Sequence, residues 1–402
     1  MGQYIYLANS MTTINNDNIK GYVDAYLNLY KDNKGNKLAF GRPRIISGLP
    51  SDLKNKKIGE WDVSNVTNMS GLFRLRKEFN EDISDWDVSK VTDMQSMFEG
   101  ASSFNQPLEQ WNVGNVTIMQ EMFREAYAFN QDISQWNVTN VTTMMRMFRN
   151  ASTFNQPLAN WERDNSTLGN VTNMYCMFQG ASAFNQPIGN WNVSKVTNMD
   201  GMLCVASAFN QPIEQWNVGN VTNMGDMFYN ASAFNQPIEQ WNVTNVTDMG
   251  GMFRNASDFN QPLEKWNVGN VTTMMRMFAG AKAFNQPIGN WNVSKVTNMD
   301  RMFDGALAFN QDISQWNVSN VTRMEFMFNN SPFDVNSYNG NLIKMYSAET
   351  SSPWNNYNKH PAKFGGRKGK TRKTNGKQKK GKQTRRKVRK QSRRKGKKTK
   401  KK

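Results

Sequence analysis

One histidine, His360, and two cysteines, Cys176 and Cys204, are the whole imidazole and thiol supply of a 402-residue chain. The histidine stands outside the repetitive body, so no Ser-His-Asp relay can be assembled there, and a Cys/His zinc cluster lacks ligands. The cysteine count rules out a disulfide-rich secreted scaffold, and the two occupy different positions of a repeat, which predicts no designed bridge. Carboxylates recur as a row, Glu109, Glu214, Glu239 and Glu264. Acid–base work needs two of them converging in a cleft, whereas a row reads as a solvated edge. Methionine thioethers are soft metal ligands, but 21 of the 26 fall at two regular spacings beside a phenylalanine, which predicts packed core. No catalytic residue, metal or cofactor is expected, and no enzyme.

One chemistry is amply supplied, the neutralisation of phosphate. The chain has 50 Lys+Arg against 32 Asp+Glu, a formal charge of +18, and the excess is concentrated. From Lys363 onward there are 23 basic residues and no acidic one, leaving 27 basic against 32 acidic before it. Lys368, Lys370, Arg372, Lys373, Lys379, Lys380, Arg385, Arg386, Lys387, Arg389, Lys390, Arg393, Arg394, Lys395, Lys397 and Lys398 are the candidate polyanion-binding residues. Such a run binds nucleic acid or another polyanion by releasing counterions, with little sequence preference. No aromatic residue follows Phe364, so bases have no stacking platform. Residues 365–402 hold Val388 as their only aliphatic side chain and are expected to be disordered. The segment Arg385–Lys390 also reads as a nuclear-import signal, and a plain solubility tail is the remaining alternative.

The elements that must position everything else repeat. Trp61, Trp86, Trp111, Trp136, Trp161, Trp191, Trp216, Trp241, Trp266, Trp291 and Trp316 are 25 residues apart except for one step of 30, where five extra residues enter near 162–168. A period of this length indicates a solenoid. The consensus unit is Phe-Asn-Gln-Pro-Ile-x-x-Trp-Asn-Val-x-Asn-Val-Thr-x-Met-x-x-Met-Phe-x-(Gly/Asn)-Ala. Within it Ile238, Trp241 and Val243 predict a short strand. Met249, Met252, Phe253 and Ala256 space as 3, 1 and 3, which predicts a short helix, with Thr247 as its N-cap. Fourteen residues after the tryptophan, most copies carry Gly or Asn, the residues that suit a left-handed helix stop. Leu75, Glu125 and Val205 are the exceptions.

One unit cannot close a core alone, so the units must stack. The fold expected is an α/β repeat solenoid of eleven units over 58–333. A helical N-terminal cap (1–57) precedes it, and a cap or linker (334–364) and the basic tail (365–402) follow. Trp86, Trp111, Trp136, Trp216, Trp241, Trp266, Trp291 and Trp316 read as structural core rather than a sugar platform. The Asn after each Phe is the expected polar ladder, its amide satisfying backbone of the turn. Positions ten and thirteen residues after the tryptophan vary from copy to copy. They include Glu121, Arg124, Arg146, Arg149, Cys176, Gln179, Asp226, Tyr229, Arg254, Arg276, Arg301 and Asp304. Stacking puts them in columns on one exposed face, and Arg124, Arg146, Arg149, Tyr229, Arg254, Arg276 and Arg301 are the candidate partner-binding residues. Its arginines make that face locally basic. Neutral drift of a solvated surface is the competing reading.

The run Trp-Asp-Val-Ser-Asn-Val-Thr-Asn-Met-Ser-Gly-Leu-Phe from Trp61 to Phe73, with Phe-Asn-Glu-Asp-Ile-Ser-Asp-Trp from Phe79 to Trp86, resembles the BspA-like leucine-rich repeat family. That repeat was first catalogued as a domain of unknown function in mycoplasma lipoproteins, and it has members on bacterial surfaces, in protists and algae, and in large DNA viruses. The resemblance implies a leucine-rich-repeat-like, right-handed stack with a binding role.

Bacterial members usually carry a secretion signal, whereas Met1–Lys20 has no apolar core or lipid-modified cysteine. Tyr6 stands where myristoylation needs Ser or Thr, and no apolar run is long enough to span a membrane. Sequons such as Asn65-Val-Thr follow from the consensus itself. The expectation is a monomeric intracellular or virion scaffold that binds a protein along its repeats and a polyanion through its tail. The alternative is an adhesion protein of a cell or virion envelope.

Overall fold

The computed structural model describes residues 11–28, 48–158, 161 and 168–333. These all lie within Met1–His360, one of the units into which the chain divides. Tandem repeats stack through one parallel bridge each, in ten steps from Asn68↔Asp93 to Asn298↔Arg323. The bridge residue stands seven positions after the tryptophan, and the strand expected over Ile238–Val243 does not form. There the chain reverses too often to extend. Trp241 N–H donates to Ile238 O at 3.1 Å, and Val246 N–H to Val243 O at 2.9 Å.

The helix expected after each Thr is also replaced, by a ribbon of consecutive turns. Met252 N–H donates to Met249 O (3.2 Å), Arg254 to Gly251 O (2.9 Å) and Ala256 to Phe253 O (3.1 Å). Between them, every second N–H leaves its own repeat. Met249 donates to Thr273 O, Gly251 to Met275 O, Phe253 to Met277 O and Asn255 to Ala279 O, at 2.7–3.2 Å. An α-helix spends its N–H groups on its own fourth-preceding carbonyl, so it could not supply this ladder. The turns bring Gly251 and Asn255 to φ values of 64° and 56°, the left-handed region a type II turn requires at its third residue. Turns of this pitch carry apolar residues inward at the same 3, 1, 3 spacing as a helix, which is why the sequence pattern cannot tell them apart. Thr247 is correspondingly no helix cap. Its N–H and hydroxyl both donate to Thr222 O in the preceding repeat, at 2.9 and 3.1 Å.

Stacking buries the repeated apolar residues in columns. Phe253 lies 5.6 Å from Phe278 in the next repeat and 4.1 Å from Phe259 in its own, and Phe259 lies 6.0 Å from Phe284. Offset aromatic pairs add about 0.5–1.5 kcal/mol each beyond their buried area. The first of these columns is interrupted once, by buried Leu203. The tryptophans are buried too, each of the eight named as core being at most 3% exposed. Their indole N–H groups find partners across the stack, Trp241 Nε1 donating to Ile213 O at 3.1 Å. Trp61, with no repeat before it, has a buried Nε1 without an acceptor among the described residues.

The asparagine ladder is present as backbone satisfaction between repeats. Asn260 N–H donates to Asn235 Oδ1 at 3.0 Å, and Gln286 Nε2 donates to Asn260 O at 3.0 Å. Before the first repeat lies one α-helix, α1, Ile19–Asn28, which buries Ile19, Val23 and Tyr26. The apolar spacing over Asn16–Lys31 predicts a helix; it begins at Ile19, and Leu29 and Tyr30 fall outside the described residues. Asn16 supplies what a preceding repeat would. Its Oδ1 accepts Thr67 N–H at 2.9 Å and Asn68 N–H at 3.1 Å, while Tyr26 packs edge-on against Trp61 at 5.4 Å.

Candidate functional site

The variable face is built on the turn ribbon. Residues ten and fourteen positions after each tryptophan, counting the insert out, have positive φ throughout. The fourteenth position is Gly or Asn in most copies, yet Leu75, Glu125 and Val205 adopt the same conformation (φ 58–59°). At the tenth position the contrast is sharper. Gly71, Gly201 and Gly251 suit it, but Glu121, Arg146, Arg276, Arg301 and Phe326 are held there at φ 55–58°. An L-residue in that region costs about 1–2 kcal/mol.

Neighbouring members of the face engage one another, and at one end acidic residues offset the arginines. At one end Glu99 is buried and accepts from Arg74 at 2.8 Å and Arg124 at 3.2 Å. Glu121 pairs with Arg146 at 2.9 Å and Arg124 at 3.7 Å, and Arg124 also meets Glu125 at 3.3 Å. Burial alone would push the Glu99 carboxyl up, but hydrogen bonds from Arg74 and Ser96 and the charges of Arg74 and Arg124 hold it below its ordinary value. A groove of about 410 Å³ opens here between Lys20 of α1 and the column from Gly71 to Glu121.

Farther along, guanidinium groups lie over rings: Arg146 over Tyr175 (4.9 Å), Arg254 over Tyr229 (4.6 Å) and Arg301 over Phe326 (4.8 Å). Arg301 also reaches Asp304 at 3.5 Å. Arg149 and Arg276 have no ion-pair partner among the described residues, and Arg149 Nε and Gln179 Oε1 are buried without hydrogen bonds there. Between these ends lie Cys176, Cys204 and a half-buried Asp200. Burial, with the charges of Asp226 and Asp248, pushes the Asp200 carboxyl up.

All seven candidate partner-binding residues therefore lie in the columns, half-buried rather than fully exposed, and Arg124, Arg146, Tyr229, Arg254 and Arg301 already engage other side chains. Arg74, Glu99 and Phe326 belong to the same register and could have been counted from Trp61, Trp86 and Trp316. Tyr175 could not, because a helix would place it differently. The polyanion-binding candidates from Lys368 to Lys398, the cap or linker over 334–364 and His360 lie outside the described residues. Among the described residues no three-ligand metal cluster occurs and no helix is long and apolar enough to cross a membrane.

No curated protein matches the sequence. Among solved structures, the chain described as "Crystal structure of TLR13-ssRNA13 complex" is 7% identical with a TM-score of 0.21, a likeness too slight to assign a fold. The alignment covers 68% of this chain and 47% of that one, so this chain spans about half of its neighbour's length. The family described as "Mycoplasma protein of unknown function, DUF285" matches residues 47–161, 162–266 and 237–343. Those segments take in most of the sequence and share the tryptophan-ruled repeat, and the chain belongs to that family.

Proposed function

We propose that the protein is a non-enzymatic scaffold whose variable face binds a protein partner and whose basic tail binds nucleic acid or another polyanion. The observation that carries the first half is the tenth-position column. Large charged and aromatic side chains occupy a left-handed backbone site where glycine would relieve strain, while the core columns hardly change. Strain kept outside the repeated apolar columns is a reason to look for function there. Arginine over tyrosine, as at Tyr229 and Arg254, is also the chemistry enriched at interface hot spots. In this reading the array is a right-handed stack of eleven units from 58 to 333. Residues 1–57 cover its first unit and 334–364 its last, the chain works as a monomer, and its site is inside a cell or virion.

The face is tested by comparing partner capture by the full chain with that by its Tyr229→Ala/Arg254→Ala double variant. Binding should fall about tenfold or more with the circular dichroism unchanged. Equal capture would remove the face from the interface. The tail is tested by a salt titration of DNA and RNA binding with and without residues 365–402. Loss of most of the affinity and of the salt slope is expected, and an unchanged slope would overturn the assignment. Protease protection in intact cells or particles checks the internal location. Ready cleavage from outside would favour an adhesion role.

A further inference from the structure

We infer that Cys176 and Cys204 are an oxidative cross-linking site: their two sulfurs share one gap between consecutive repeats of the variable face, placed to close a disulfide across that step. They are the only two cysteines of the chain, and both are free and buried. Their different positions in the repeat argue against pairing when read along the sequence. The turn ribbon removes that objection. Cys204 N–H donates to Gly201 O at 3.1 Å, so the thirteenth position folds back beside the tenth, which is the position of Cys176 in the preceding repeat.

Both sulfurs point into the step. Gln179, in the repeat of Cys176, donates from Nε2 to Cys204 Sγ at 3.6 Å, so this sulfur is turned back toward the preceding repeat. Cys176 Sγ is turned forward: a Cβ on Gly201 would meet it at 2.9 Å and would stand 3.8 Å from Cys204 Cβ. Gly201 lies at φ 61°, but the backbone does not demand glycine, since Ser96 and Arg146 hold the same position at 54° and 55°. What glycine provides at this one step is room between two thiols.

The reaction takes a small hydroperoxide as its two-electron oxidant. The Cys176 sulfur attacks the O–O bond, which breaks to give a sulfenic acid on Cys176 and one molecule of alcohol or water, with the thiol proton going to the leaving oxygen. Cys204 then attacks the Cys176 sulfur, the S–O bond breaks, water leaves with the second thiol proton, and the S–S bond forms. Burial raises both thiols, Cys204 to about 11. For Cys176 burial is opposed by the Tyr175 hydroxyl and by the charges of Arg149 and Arg146, while the Asp200 charge adds to it. The reaction is accordingly slow at neutral pH and speeds up as pH rises.

The test treats the full-length chain with hydrogen peroxide, unfolds it, and counts thiols. Both should disappear together, with an intact mass lower by two hydrogens, a monomer on a non-reducing gel, one linked peptide pair and full reversal by dithiothreitol. Gly201→Ser keeps the fold, because serine already occupies this position at Ser96, and should slow cross-linking about tenfold or more by filling the gap. Cys204→Ser should stop at oxygen adducts on Cys176. The inference is overturned by two thiols that stay free, by oxygen adducts on wild-type Cys176 without a bridge, or by a bridge found only between two chains.

Discussion

Two carboxylates on the same face carry opposite pH signatures. Glu99 is held below its ordinary pKa by Arg74, Ser96 and Arg124, so protonating it is harder in the folded chain than in the unfolded one. Its contribution to stability is complete above the usual glutamate range and is lost as pH falls through that range and below. Glu99→Gln should cost about 1–3 kcal/mol at neutral pH and flatten this part of the acid limb, as read from urea midpoints between about pH 3 and 7. Asp200 is pushed up by burial and by Asp226 and Asp248, so the folded chain holds its proton more tightly than the unfolded chain does. Ionised at neutral pH it opposes folding, and stability returns as pH falls through its raised pKa. Asp200→Asn should therefore raise the midpoint at pH 7 and leave it unchanged at the acid end. A drop at pH 7 would show that the carboxylate is paired rather than crowded.

At the scale of the element, the turn ribbon decides what each position tolerates. Val205 is β-branched and sits at φ 59°, so Val205→Gly should stabilise by about 1–2 kcal/mol in urea denaturation. The converse, Gly280→Val, adds the same strain and brings a Cβ within 2.1 Å of Asn255 Oδ1, and should destabilise by more. A null result for both would mean that the left-handed positions relax on substitution. The tryptophan ruler, the buried Met and Phe columns and the asparagine ladder were legible in the sequence, because burial and register depend only on residue type and spacing. The element type was not. Met249, Met252, Phe253 and Ala256 face the core whether they ride a helix or successive turns, and only the destination of alternate N–H groups separates the two. The Gly/Asn signal fourteen residues after the tryptophan was read as a helix stop. It marks a left-handed turn residue, and its twin at the tenth position went unseen because charged side chains occupy it in several repeats.

For the whole stack, register is the quantity that must be conserved. Removing residues 211–235 joins Asn210 to Gln236 and restores the consensus, so each column loses one member and stays in line. That variant should unfold cooperatively with a modestly lower midpoint, whereas removing about half a period should abolish the tryptophan fluorescence of the packed core. Equal behaviour of the two deletions would contradict nearest-neighbour stacking. The exported N–H groups also give the stack a direction. Each ribbon donates to the repeat after it, so one end presents carbonyls such as Asn68 O and Ser70 O. The other presents N–H groups such as those of Met324 and Phe326, which meet no acceptor among the described residues. Two copies of such an array are complementary head to tail, like two lengths of the same zip fastener, and a heterologous contact of that kind runs on as a fibre unless its rotation closes a ring. Asn16, seated on Thr67 and Asn68, occupies one of the two surfaces such a fibre would have to use.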